Sequence, residues 1–114
     1  MELNERRLDD GMWMLTVSGE MDMYNAESFK QAIDRLLSDA EVGVIVDFGE
    51  LAYIDSSGIG ALLYSVTQGK SRNTGVCFIK VVGSVRKVIE LTSLLGFLPI
   101  EDGVEGAVLR LTRS

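Results

Sequence analysis

Residues 53–63 are Tyr53-Ile54-Asp55-Ser56-Ser57-Gly58-Ile59-Gly60-Ala61-Leu62-Leu63, a stretch that joins two segments of different hydrophobic pattern. The run Val42–Phe48 before it is apolar and rich in β-branched residues, which predicts a buried central strand. After it, apolar residues recur at the spacing of one helix face, which predicts a helix from Ser57 to about Gly69. The stretch is therefore predicted to be a turn between a strand and a helix.

Asp55, Ser56 and Ser57 supply one carboxylate and two hydroxyls at the predicted helix start. The first N–H groups of a helix lack partners within it, and the positive end of the helix dipole lies there. A serine at such a position can cap the helix, act as a nucleophile or accept a phosphoryl group. Spacing alone favours a cap for Ser56, which contributes about 1 kcal/mol and is chemically silent, and a capping or turn role for the Asp55 carboxylate.

Composition excludes several classes of function. A chain of 114 residues is long enough for one domain with its own core, taken here as residues 1–114. The net charge of −6 argues against direct binding to nucleic acid, and no apolar run approaches the roughly 20 residues of a membrane span. The chain has no histidine, which excludes histidine-based catalysis and metal ligation. The single cysteine, Cys77, cannot form an internal disulfide, so a cytoplasmic location is expected.

Periodicity and turn residues predict the other elements along the chain. Met21–Tyr24 is predicted as a loop, and Leu91 is expected on the buried face of the third helix. The predicted elements are strands Leu3–Leu8 and Met12–Val17 joined by the turn 9–11, a break at Ser18–Glu20, a helix capped by Asn25 and ending at Ser38-Asp39, strand Val42–Phe48, the helix from Ser57, strand Val76–Val82, a helix capped by Ser84 and closed by Gly96, strand Phe97–Ile100, and a helix from Val104 to about Leu111.

This alternation of strands and helices predicts an α/β fold. It implies a mostly parallel, mixed sheet of four to five strands, with a first antiparallel hairpin and about four helices. In such folds, the carboxyl ends of strands and the amino ends of helices meet at one edge. Asp22, Asp55 and the start of the Ser57 helix are therefore expected to lie together there.

Catalysis and metal binding find little support in the sequence. A serine hydrolase needs a base, and Lys70 and Lys80 lie on polar turns or strand exteriors with no sign of burial. Asp22, Asp47 and Asp55 would suit a hard cation if they converged, but nothing in their spacing requires it. We predict no catalytic residues, no metal and no cofactor.

A phosphorylation switch is the remaining interpretation. A phosphoserine adds about −1.5 to −2 charges and three strong acceptor oxygens. The helix dipole favours that charge by typically 0.3–1 kcal/mol, so the modification need not unfold the domain. Against a docked partner the same charge is unmatched and costs several kcal/mol, which is the larger effect. Met21 and Met23 are interpreted as core residues, or else as an adaptable contact surface.

Four segments, in order, resemble the STAS domain family, and specifically its bacterial anti-sigma-factor antagonists. Ile54–Leu62 is similar to the family's phosphorylation motif, and Val17–Asp22 to its Gly-Glu-Leu-Asp segment. Val44–Phe48 resembles the strand that leads into the motif, and Leu91–Phe97 the ending of the third helix. The resemblance implies a sheet with helices packed mainly on one face.

The same resemblance implies a function and a set of site residues. The unphosphorylated protein would bind an anti-sigma factor that is itself a serine kinase, and the sigma factor would be released. A serine phosphatase would remove the phosphoryl group that the kinase adds. ATP belongs to the kinase, and the free antagonist is expected to be a monomer. Phosphorylation is expected at Ser56, with Ser57 the runner-up. The expected partner-binding residues are Asp22, Met23, Asp55, Ser56, Ser57, Gly58, Ile59 and Gly60.

One other class of function stays open. The same edge could hold a nucleotide or another small anionic ligand on helix amides, as a binding or scaffold module without regulation by phosphorylation.

Overall fold

The computed structural model describes residues 1–9 and 11–113, and in them nine elements alternate as the sequence predicts. Asp10, in the predicted first turn, lies outside the described residues. The elements are β1 (Glu2–Arg7), β2 (Met12–Met21), α1 (Ala26–Asp39), β3 (Gly43–Ile54), α2 (Ser56–Ser71), β4 (Gly75–Ile79), α3 (Gly83–Leu91), β5 (Ile100–Glu101) and α4 (Val104–Thr112).

The strands form one mixed sheet in the order β1-β2-β3-β4-β5. β1 and β2 pair antiparallel, as predicted for the hairpin, and each later pair is parallel. Parallel neighbours require crossover connections, and a helix supplies each of them. The predicted α/β class with a mostly parallel sheet is confirmed.

Three helices cover one face of the sheet and one covers the other. Alternation along β3 separates the two layers, because Val44 and Val46 face the larger core while Ile45 faces the smaller. The larger core receives α1, α2 and α3, whereas α4 closes the smaller one through Ala107 and Leu111. The expectation of helices mainly on one face is therefore confirmed, with α4 as the exception. No helix within the described residues is long and apolar enough to cross a membrane.

β2 and β3 are both longer than predicted. β2 does not break at Ser18–Glu20 but continues to Met21, and β3 continues past Phe48 to Ile54. The reason is that the two extensions pair with each other, with register shifts on either side of Ser18 and Gly19. Gly19 has φ +91°, a conformation that favours glycine. The local sequence there is polar, and only the pairing makes it a strand.

The region around α3 departs furthest from expectation. β4 ends at Ile79 rather than Val82, because Lys80 turns the chain with φ +56°. Ser84 does not cap α3, since its hydroxyl donates to the carbonyl oxygen of Ala52 at 2.6 Å. The helix ends at Leu91 rather than Gly96, and Leu91 is 80% exposed instead of buried.

The residues after α3 are turns that include Gly96, and the short strand β5 is Ile100–Glu101 instead of Phe97–Ile100. Phe97 is exposed. The apolar spacing from Leu91 to Phe97 therefore does not mark one helix face.

Cys77, on β4, gives a test of the buried layer under α4. Burial raises the pKa of its thiol to about 11. The charge of Arg110 lowers this pKa and the charge of Glu101 raises it, both by smaller amounts. Between about pH 9 and 11 the unfolded thiol ionises while the folded one stays protonated, so the free energy of unfolding falls with rising pH. We expect wild type to lose up to about 2 kcal/mol more than Cys77→Ala over this range. Urea denaturation at several pH values measures the difference, and parallel profiles for the two proteins would contradict it.

Candidate functional site

The extended ends of β2 and β3 create the site. Met21 pairs with Ile54, and the Asp55 amide donates to the Met21 carbonyl oxygen at 3.1 Å. Asp22 follows Met21 directly, so it lies beside Asp55 at the carboxyl end of both strands. The predicted shared edge of Asp22, Asp55 and the α2 start is therefore present.

Asp55, not Ser56, caps α2. Its carboxylate accepts from the Gly58 amide at 3.1 Å, and α2 begins at Ser56 rather than Ser57. The capping role that spacing alone favoured for Ser56 is therefore wrong, whereas the capping role for Asp55 is confirmed. Ser56 is exposed and Ser57 half-buried, and neither hydroxyl makes a hydrogen bond within the described part of the chain. The Ser56 hydroxyl is thus available to a second protein.

The first turn of α2 rests closely on the two strand ends. Gly58 and Ile59 are buried, and a Cβ added at Gly58 would overlap Ile54 and approach Met21. These two residues support the site from beneath. Gly60 is exposed, and an added Cβ there would meet nothing within 4 Å. Of the three expected contact residues after Ser57, only Gly60 is open to a partner.

The loop that carries Asp22 is held by side chains rather than by a helix cap. Asn25 stands at the N-cap position of α1, but its side chain makes no capping hydrogen bond, contrary to expectation. Instead, its Oδ1 accepts from the Asp22 amide and its Nδ2 donates to the Glu20 carbonyl oxygen, both at 2.9 Å. Asp22 Oδ1 accepts from the Tyr24 amide, also at 2.9 Å.

Apolar side chains lie exposed on either side of this edge. Met21 is fully buried, as expected of a core residue, whereas Met23 is 68% exposed. Tyr24 and Tyr53 are exposed as well, and neither is among the residues expected to contact a partner. The alternation of β3 could have indicated Tyr53, because its neighbour Ile54 faces the core.

The carboxylates of the edge form no ion pair with a lysine or arginine of the described residues. Within the described residues, Glu20, Asp22 and Asp55 enter no ion pair, whereas six carboxylates elsewhere do. Asp47 is not one of these unpaired carboxylates, because its Oδ2 lies 3.6 Å from the Lys80 ammonium group. No group of three or more His, Cys, Asp or Glu side chains suited to a metal forms in residues 1–9 and 11–113.

Comparison with known proteins gives the family. The model of the STAS domain matches residues 5–107. The chain belongs to the STAS domain family. This range includes both strand ends and all of the edge described above.

Several of the proteins similar to this chain are named anti-sigma-factor antagonists. The anti-sigma-B factor antagonist of Staphylococcus aureus is 22% identical over 106 residues, which are 92% of this chain and 98% of that protein. The crystal structure of an anti-sigma factor antagonist from Mycobacterium paratuberculosis is 25% identical, with a TM-score of 0.83 over 97% of this chain and 93% of the other. The antagonist SpoIIAA in its unphosphorylated form has the same fold at 20% identity, with a TM-score of 0.78 over 98% and 96% of the two chains.

Gly58 and Gly60, the two glycines near the start of α2, are a matched pair for mutation. Gly58→Ala should destabilise the protein by about 1–3 kcal/mol, because the new methyl group overlaps the Ile54 side chain. Gly60→Ala should stabilise it by about 0.5–1 kcal/mol, because its methyl group meets open space and alanine favours the helix. Chemical denaturation measures both changes. Equal effects of the two substitutions would show that α2 does not rest on Ile54 as described.

Proposed function

We propose that this protein is an anti-sigma-factor antagonist controlled by phosphorylation of Ser56. In its unphosphorylated form it binds an anti-sigma factor that is a serine kinase, and the sigma factor is released. The kinase phosphorylates Ser56 and ends the interaction, and a serine phosphatase restores the active form. The protein acts in the cytoplasm, is a monomer when free, and has no catalytic activity or cofactor of its own.

The observation that carries this proposal is that Asp55 caps α2 while the Ser56 hydroxyl makes no hydrogen bond within the described residues. Asp55 caps α2, so the hydroxyl of Ser56 is not needed as the helix cap. This supports a role for Ser56 as a modification site. Ser56 is exposed, while Ser57 is partly covered. A kinase can reach the first hydroxyl without opening the fold.

The physical effect of a phosphate on Ser56 fits a block to binding. The phosphate would stand at the amino end of a 16-residue helix, where the dipole favours an anion. It would also add charge to an edge that already holds Glu20, Asp22 and Asp55 without cations. A partner that docks on this edge must then bury a dianion for which it has no counter-charge, and the affinity falls by orders of magnitude.

Binding of a nucleotide or another free anion is less favoured at this edge. Such a ligand needs free amides at the helix start, and the Gly58 amide already donates to the Asp55 carboxylate. A free anion would compete with that carboxylate, whereas a phosphate attached to Ser56 is held there by a covalent bond.

Phosphopeptide mapping tests the acceptor. We expect the anti-sigma serine kinases of the source organism, purified and supplied with ATP, to include one that labels Ser56. Ser56→Ala should abolish labelling, and the matched variant Ser57→Ala should keep at least half of it. Undiminished labelling of Ser56→Ala would contradict the assignment.

Amide NMR spectra test how the switch works. Because α2 rests on buried Gly58, Ile59 and both strand ends, we expect phosphorylation to leave the backbone nearly unchanged. Shift changes should be confined to residues 20–25 and 53–60. Changes that reach α3 and α4 would show that the switch is conformational rather than a matter of charge and bulk at the interface.

A further inference from the structure

We infer that Asn25 is a positioning residue, which holds the carboxylate of Asp22 in place for a lysine or arginine side chain of the partner kinase. This inference rests on the proposed function, since it names the chemistry by which the partner recognises the edge beside Ser56. Asn25 is not among the residues that the sequence motifs indicate as contacts.

The side chain of Asn25 connects the end of β2 to the loop that follows it. Its amide oxygen accepts from the Asp22 amide, and its amide nitrogen donates to the Glu20 carbonyl oxygen. Both partners are backbone groups of fixed polarity, so the two bonds require one orientation of the side-chain amide. A side chain that can only accept, or only donate, cannot make both.

Asn25 makes these bonds at the expense of its local role. Asparagine is among the best N-cap residues, because its oxygen can accept from the first amides of the helix. Here the side chain turns away from α1, and the helix start is bonded by backbone carbonyls: those of Asp22 and Asn25 accept from Ala26, Ser28 and Phe29. A residue that departs from a local rule without gain to its own helix is expected at a functional site.

The consequence is a fixed Asp22. Its amide donates to Asn25, its carbonyl oxygen accepts from α1, and its Oδ1 accepts from the Tyr24 amide. Within the described residues, no hydrogen bond or ion pair involves its second carboxylate oxygen, Oδ2. The Oδ2 oxygen is therefore open to a partner, on a hydrogen-bonded loop next to Asp55.

A cationic side chain is the group that this oxygen suits. Within the described residues, Glu20, Asp22 and Asp55 lie along the edge without an ion pair to a lysine or arginine. A lysine or arginine on the partner would supply the missing charge, and a charged hydrogen bond gains from an acceptor that is already oriented.

The test is a double-mutant cycle on affinity for the purified kinase. Calorimetry is done with a non-hydrolysable ATP analogue, so that Ser56 stays unphosphorylated. Asn25→Ala removes both loop bonds but no capping bond, because the Asn25 side chain does not cap α1, and circular dichroism checks that the variant stays folded. We expect it to weaken binding on the order of tenfold, as Asp22→Asn should. The double mutant should be no weaker than Asp22→Asn alone, because Asn25 acts through Asp22.

Tyr64→Phe is the control. It removes the 2.7 Å hydrogen bond from Tyr64 to Asp34 between α2 and α1, away from the edge, and should leave the affinity unchanged, alone or combined with Asp22→Asn. If Asn25→Ala binds like wild type, or if its effect multiplies with that of Asp22→Asn, the inference about Asn25 is overturned and the proposed function stands. If wild type binds none of the kinases, both are overturned.

Discussion

The parallel pairing of the last residues of β2 with those of β3 is the interaction on which the site depends. It continues as far as Met21 and Ile54, and one further bond joins the Asp55 amide to the Met21 carbonyl oxygen. Through it, two segments more than 30 positions apart in the chain reach the same point. Without this extension, Asp22 would not lie beside Ser56, and the edge would carry no common charge.

The packing beneath the edge explains why it can be modified without loss of the fold. Gly58 brings the first turn of α2 close to Ile54, and Asp55 supplies the cap. These contacts are made on the inner side of the turn, whereas Ser56 and Gly60 are exposed to solvent. Stability and modification therefore depend on different residues of one turn, and a charge added to Ser56 need not disturb the core.

Expectations from sequence are most accurate where one element carries its own signal. The periodicity of α1 and α4 predicts both helices well, because their buried residues recur on one face. Expectations fail where a side chain bonds a backbone group outside its own helix. Asn25 and Ser84 are good caps by type, yet their side chains bond Glu20 and Ala52, and type alone cannot tell these bonds from a cap.

The sequence by itself determined the α/β class, the order of the elements and the stretch that holds Ser56, because hydrophobic periodicity and turn residues are local properties. The family motif added the roles expected for Asp22 and Ser56. Only the tertiary structure decided that Asp55 rather than Ser56 is the cap, that Asn25 holds the Asp22 loop, and that Glu20, Asp22 and Asp55 enter no ion pair within the described residues. These features depend on which backbone groups and charges remain unpaired after the strands associate, and that is set by the whole fold rather than by any one segment.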